Sequence, residues 1–177
     1  MDIEVEVRSF VSKEKYEELL KFFKKEGHFI NEDYQETYYF NSVEDLRIQR
    51  NNFFSKIWLK KGKIHDDYRE EIEIKFHKDD FEKLERLFKA LGYDIEIKWF
   101  RTRHTFKWDD IDIMLDYTKG YNYIIELEKM SDETGKEKAL QLLKEKLKIL
   151  DIKETPKEVF NEAYENYRKN WKELTKD

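Results

Sequence analysis

Ile3-Glu4-Val5-Glu6-Val7-Arg8 alternates without a break: apolar at 3, 5 and 7, charged at 4, 6 and 8. On a strand, neighbouring side chains point to opposite faces, so this run carries one greasy face and one ionic face. An ordinary half-buried strand sets the ionic face in water. The rest of the chain argues for a different use. Leu46-Arg47-Ile48-Gln49-Arg50, Ser55-Lys56-Ile57-Trp58-Leu59-Lys60 and Arg69-Glu70-Glu71-Ile72-Glu73-Ile74-Lys75-Phe76 repeat the pattern. So do Ile111–Asp116 and Tyr123–Glu128. Charges of both signs recur on one face, strand after strand. Such a face suits the lining of a closed barrel whose apolar side turns outward under helices.

The helices read from a 3.6-residue period. Ser12 caps one over 13–26 with the stripe Tyr16, Leu19, Leu20 and Phe23, stopped by Gly27. Asp79 caps a second, with the stripe Phe81, Leu84, Leu87, Phe88 and Leu91, stopped by Gly92. Strands are expected over 33–41 and 95–107, a polar loop over 61–67, and turns at Asn51-Asn52, Asp109-Asp110 and 118–120. A third helix covers 133–150. Thr155-Pro156-Lys157-Glu158 then reads as an N-cap, a first-turn proline and a capping glutamate, opening a last helix with Phe160, Ala163, Tyr164, Tyr167 and Trp171 on one side. That helix is expected to pack outside the barrel or across one end. The order strand, helix, strands occurs twice. The expected fold is α+β: one domain over 1–177, a closed antiparallel eight-stranded β-barrel over about 1–130 and helices over about 131–175.

Pooled, the ionic faces hold Glu4, Glu6, Glu71, Glu73, Asp112, Asp116, Glu126 and Glu128 against Arg8, Arg47, Lys56, Lys60, Arg69, Lys75, Arg101, Arg103 and Lys107. Turned inward, like charges crowd, and several need a partner. At about 4 Å, two unit charges interact by about 4 kcal/mol at an effective dielectric of 20. Such an interior calls for a polyanion on its basic side and a hard cation on its acidic side. A triphosphate with Mg2+ or Mn2+ answers both. No glycine-rich phosphate cradle of either familiar kind is present.

Composition narrows the classes. The chain has 177 residues, 42% of them charged and 16% aromatic, which excludes a disordered tail and allows a sizeable core. It has no cysteine, so disulfides, thiolate metal sites and thiol catalysis are out. His28, His65, His77 and His104 are scattered, without the spacing of a zinc site. A net charge of −5 points away from a nucleic-acid partner. No leader or membrane-length apolar run is read, so a cytoplasmic protein is expected. Abundant Lys and Glu with 5 Gly and 1 Pro suit heat adaptation.

The ordered set resembles the CYTH family, the triphosphate tunnel metalloenzymes. Their opening ExExK corresponds to Glu4, Glu6 and Arg8; later blocks resemble Leu46-Arg47-Ile48, Trp58-Leu59-Lys60, Arg69-x-Glu71-x-Glu73, Arg101/Arg103, Leu115-Asp116, Gly120 and Glu126-Leu127-Glu128. The resemblance implies an eight-stranded tunnel. Glu4, Glu6, Asp116, Glu126 and Glu128 would be the metal-side carboxylates. Arg8, Arg47, Lys60, Arg69, Arg101 and Arg103 would hold the triphosphate, with Glu71 and Glu73 in support and Glu4, Glu6 and Arg8 as the catalytic set. Two positions depart: Arg8 replaces the usual lysine, and Gln49 stands where a second arginine is common. The implied activity is that of a class IV adenylyl cyclase, turning ATP into cyclic AMP and pyrophosphate, with an organic or inorganic triphosphatase as the alternative. A non-catalytic triphosphate or nucleotide binder is a second alternative, and a barrel whose charges merely pair on its surface a third. The partner expected is a small-molecule triphosphate, on a monomer or homodimer.

Overall fold

A computed structural model describes residues 3–62 and 68–176. Nine strand segments form one antiparallel sheet: β1 (Ile3–Val11), β2 (His28–Phe40), β3 (Asp45–Arg50), β4 (Ser55–Lys60), β5 (Tyr68–Arg69), β6 (Glu71–Phe76), β7 (Ile95–Trp108), β8 (Ile111–Thr118) and β9 (Asn122–Ser131). Their order is β5-β1-β9-β8-β7-β2-β3-β4-β6. Its two ends, β5 and β6, are consecutive in the chain and separated only by Glu70. They amount to the eighth strand of the expected barrel, split so that its first part pairs with β1 and its second with β4. The closure differs from an unbroken hydrogen-bonded ring: one run of chain carries the sheet from β1 to β4. The α+β class stands, with four helices, α1 (Lys13–Glu26), α2 (Phe81–Ala90), α3 (Lys136–Ile149) and α4 (Lys157–Leu174).

The apolar strand faces do turn outward. Val5 and Val7 of β1, Ile113 and Leu115 of β8 and Ile125 and Leu127 of β9 are buried under Tyr16, Leu19 and Phe23 of α1 and Ala139, Leu143 and Leu147 of α3. Tyr38, Phe40, Leu46 and Ile48 are buried under Phe81, Leu84 and Phe88 of α2. Each fully buried aliphatic or aromatic side chain contributes about 1.5–3 kcal/mol. These outer cores free the inner face from any need to be apolar.

Local chemistry sets the helix ends. Ser12 accepts from Lys15 N at 3.1 Å, as its sequence position implies. The second helix begins later than expected. Residues Lys78–Asp80 form a single 3-10 turn whose cap is His77, and α2 starts at Phe81. Strand β2 starts at His28, five residues before the expected 33, with a register shift between Phe29 and Asn31. Thr155 does not cap α4, which has no side-chain cap. Its hydroxyl instead accepts from Phe10 N at 3.0 Å and meets Ser9 Oγ at 2.9 Å, tying the approach to α4 onto β1. The loop expected over 61–67 lies outside the described residues from 63 onward.

α4 crosses one end of the sheet. Tyr167 is fully buried against Ile97 and Trp99. Its hydroxyl donates to Lys98 O at 2.9 Å, and Trp171 Nε1 donates to Glu96 O at 3.0 Å. Among the described residues, no helix is long and apolar enough to cross a membrane.

Candidate active site

The inward faces enclose a cavity of ≈ 320 Å³. Strand register gives it two ends. Arg8, Tyr39, Arg47, Trp99 and Thr118 sit toward the ends of their strands that α4 crosses. There Phe160 of α4 stacks on Phe10 at 4.4 Å, and Phe160 and Tyr164 join the lining. Glu4, Glu128, Lys56 and Glu73 sit toward the opposite mouth.

Of the sequence-derived residues, Glu4, Glu6, Arg8, Arg47, Lys60, Glu71, Glu73, Arg101, Arg103, Asp116, Glu126 and Glu128 all line this one cavity. The side chain of Arg69 lies outside the description. Asp112, Lys75 and Lys107 are not in the lining; Lys107 and Asp112 instead pair with each other at 3.0 Å, each well exposed. Sequence reasoning left out Gln35, Tyr39, Trp99, Tyr121, Phe160 and Tyr164 as site residues, and it pooled Lys56 without assigning it a role. All of them line the cavity. Lys56 carried the same signal as Lys60, two residues along one strand face. The aromatics carried none, because an inward aromatic and a packed one have the same period.

One wall is acidic. Glu4 and Glu6 on β1 lie beside Glu126 and Glu128 on β9, with Glu6 directly across from Glu128 and Arg8 across from Glu126. Burial raises Glu128, and Glu4 and Glu126 push it further, up to about 8. Glu6 is raised in the same way by burial, with Arg8 opposing. Burial also works to raise Glu126, but Arg103, Arg8 and Arg101 outweigh it and hold the carboxyl at about 2. The wall thus holds carboxylates that lack enough positive charge beside carboxylates that have it.

The opposite character comes from β7 and its neighbours. Asp116, 2% exposed, receives Arg103 in a two-pronged pair, Nε to Oδ1 at 2.8 Å and Nη2 to Oδ2 at 2.7 Å. Arg101 Nη1 adds a third bond at 3.2 Å. Asp116 is thereby engaged by guanidinium groups on all sides the structure shows. Arg101 is also fixed by Gln35, whose Oε1 accepts from Nε at 2.8 Å and Nη2 at 2.5 Å. Gln35 in turn donates to Asp33 at 3.0 Å, and Gln49 donates to Thr37 at 2.9 Å. The position where a second arginine was expected is therefore a neutral amide used for positioning. Lys60 bridges Glu4 at 3.1 Å and Glu71 at 2.9 Å, and Lys56 pairs with Glu73 at 2.7 Å. Burial lowers Lys56 despite that partner.

Glu4, Glu6, Glu126 and Glu128 are hard oxygen donors on paired strands, the right chemistry for Mg2+ or Mn2+. Among the described residues no three acidic or imidazole groups converge into a ready-made cation cage. That arrangement suits Mg2+, which typically uses one or two carboxylates together with water and phosphate oxygens.

A CYTH domain profile matches residues 2–159. A Methanocaldococcus jannaschii protein whose name proposes it as an adenylate cyclase is 37% identical over 164 residues, covering 85% of this chain and 90% of that one. Among solved structures, a conserved hypothetical protein of Pyrococcus furiosus superposes with a TM-score of 0.74 at 24% identity, over 85% of this chain and 91% of its own. A Hippeastrum protein, proposed as an adenylyl cyclase and described as revealing a dominant triphosphatase activity, superposes at 0.64 with 18% identity, over 86% and 89%.

Proposed function

The chain belongs to the CYTH domain family, and on that premise we propose that it is a metal-dependent enzyme acting on a triphosphate inside the tunnel. The observation that carries this reading is the bipolar lining: buried arginines and lysines across one cavity from a wall of crowded carboxylates. Arg8, Arg47, Lys60, Arg101 and Arg103 bind the phosphate oxygens, and Arg69 is proposed with them from its sequence position. Asp116 and Gln35 hold Arg103 and Arg101 in place before the substrate comes in, so little ordering is left to do on binding. Glu4, Glu6, Glu126 and Glu128 would hold Mg2+ or Mn2+; Asp116, expected with them from the resemblance, is instead bonded to Arg101 and Arg103, and Glu71 and Glu73 would support by orienting Lys60 and Lys56. When bound, that cation neutralises charge on the phosphate oxygens. Glu6 and Glu128, kept short of positive charge, are the groups able to take up a proton at the acidic wall.

The first branch is cyclisation of ATP to cyclic AMP and pyrophosphate, supported by the Methanocaldococcus relative. It needs the ribose hydroxyl aimed at the phosphorus nearest the sugar. The second branch is hydrolysis of an organic or inorganic triphosphate. It is favoured by a cavity charged along its length and crossed by α4 at one end, which leaves the organic group at the mouth. The test is to resolve products from ATP, thiamine triphosphate and tripolyphosphate with Mg2+ or Mn2+. Cyclic AMP with pyrophosphate selects the first branch, and orthophosphate the second. The double change Glu4→Gln with Glu6→Gln is expected to abolish turnover and leave the circular dichroism spectrum unchanged. Undiminished turnover overturns the site.

A further inference from the structure

Two buried side-chain polar atoms among the described residues have no hydrogen-bond partner: the indole Nε1 of Trp58 and the hydroxyl of Thr118. Trp58 is 5% exposed and Thr118 1%, and both line the tunnel cavity. Buried donors nearly always find partners, because leaving one unpaired forfeits the hydration it had in the unfolded chain. Both atoms belong to residues that line one cavity, and no other described side chain has such an atom.

Their placement points to the chemistry of a partner. Trp58 is on β4 and Thr118 on β8, four steps apart in the ladder and so on facing walls of an eight-strand tunnel. Trp58 lies across from Arg47, whose guanidinium is 5.4 Å from the ring centre, and Lys56 Nζ is 4.3 Å from it. Lys60 follows on the same strand face. Thr118 lies across from Arg101, two residues beyond Asp116. Each unpaired group therefore stands among the cations assigned to phosphate. An indole N–H can only donate, so its partner must be an acceptor.

We propose that Trp58 Nε1–H and the Thr118 hydroxyl donate to oxygens of the triphosphate, as two neutral contacts from facing walls. The inference rests on the function proposed above. Neutral donors solve a problem that further cations would aggravate. The β3–β4 wall already brings Arg47, Lys56 and Lys60 together, and burial already disfavours the charge on Lys56. An N–H adds a hydrogen bond to phosphate without adding repulsion. It also offsets the contact missing at Gln49, whose amide is taken up by Thr37 on the neighbouring strand.

Thr118→Val keeps shape and removes only the donor; Trp58→Phe removes the donor together with the five-membered part of the buried ring. Two readouts separate a binding role from a structural one. In urea unfolding of the free protein, Thr118→Val is expected to be at least as stable as the parent, because an unpaired buried group has been removed, while Trp58→Phe gives back part of that gain through the space the smaller ring leaves. In calorimetric titration with tripolyphosphate, in EDTA and with MgCl2, each variant is expected to bind about tenfold more weakly or worse. Should Trp58→Phe fail to fold, Thr118→Val decides alone. Parent and variants binding equally would overturn the inference while leaving the proposed function intact, and so would variants that lose stability at unchanged affinity. A parent that takes up no tripolyphosphate would overturn both.

Discussion

At the scale of the residue, Asp116 shows how the basic wall of the tunnel is held together. Its carboxylate receives three bonds from Arg101 and Arg103. Without it, two buried guanidinium groups would face each other with too little negative charge; burial and Arg103 already depress Arg101. Removing one partner of a buried ion pair costs about 3–5 kcal/mol. Asp116→Asn is expected to lower the unfolding free energy measured in urea by an amount in that range and to weaken triphosphate binding in calorimetry, since Arg103 loses its fixed fork. Gln49 makes the converse case. It lies directly across from Lys56 on β4. Gln49→Arg is expected to lower the melting temperature of the free protein through like-charge crowding and to tighten tripolyphosphate binding in the same titration. The carboxylates and arginines of the site were legible because their positions alternate with apolar ones. The role of Asp116 was not, because sequence gives residue types on a face and not which neighbour each one meets. Read from sequence, it is one more acid among five; in the structure it is the anchor of the basic wall.

At the scale of the element, α4 and the β8–β9 turn brace each other. Gly120 has φ +74°, and a Cβ there would come within 2.7 Å of Leu174 Cβ and of its carbonyl oxygen near the end of α4. Both the left-handed backbone and the close approach require glycine. Gly120→Ala is expected to destabilise by about 1–3 kcal/mol in urea unfolding. Tyr167 is the other pin. Tyr167→Ala deletes a fully buried ring and its bond to Lys98, a loss of about 3–5 kcal/mol. Hydrogen exchange is expected to quicken first at residues 157–174, because Tyr167 is the most deeply buried side chain of that helix. The periodic stripe of α4 announced that the helix packs. It could not announce against what. Tyr164 and Phe160 lie on the same stripe as Tyr167, yet they line the cavity while Tyr167 is sealed. The misread cap has a similar cause: Thr155 has the right spacing for a cap, but β1 offers its hydroxyl the Phe10 N–H.

At the scale of the molecule, the tunnel gathers charges of both signs onto one inner surface. Its described lining holds seven carboxylates and six cations, so it gains most from an occupant that carries both signs. Tripolyphosphate with Mg2+ at about 100 times its dissociation constant should add about 2.7 kcal/mol. For a chain of this size that is a rise of roughly 5–10 °C in melting temperature, read by calorimetry. Tripolyphosphate with EDTA is expected to give a smaller rise. The overall architecture was legible because outward burial under α1, α2 and α3 and inward charge both follow from one alternation. The split of the last wall into β5 and β6 was not, since Arg69-Glu70-Glu71-Ile72 reads as a continuous strand and only the pairing partners change at Glu70.

The pairing of β1 with β9, Ile3 to Ser131 through Val11 to Tyr123, has a consequence for how the protein is made. Strand β1 must wait for β9, which follows it in the chain after seven other strands. At roughly 5–20 residues per second, β1 stays without its main neighbour for on the order of ten seconds. Throughout that interval Ile3, Val5 and Val7 form an uncovered, β-prone edge, and the high contact order of the finished barrel slows its completion further. Glu4, Glu6 and Arg8 interrupt that edge at every second position. The charges assigned to the site in the folded protein thus also act as gatekeepers against aggregation in the nascent one.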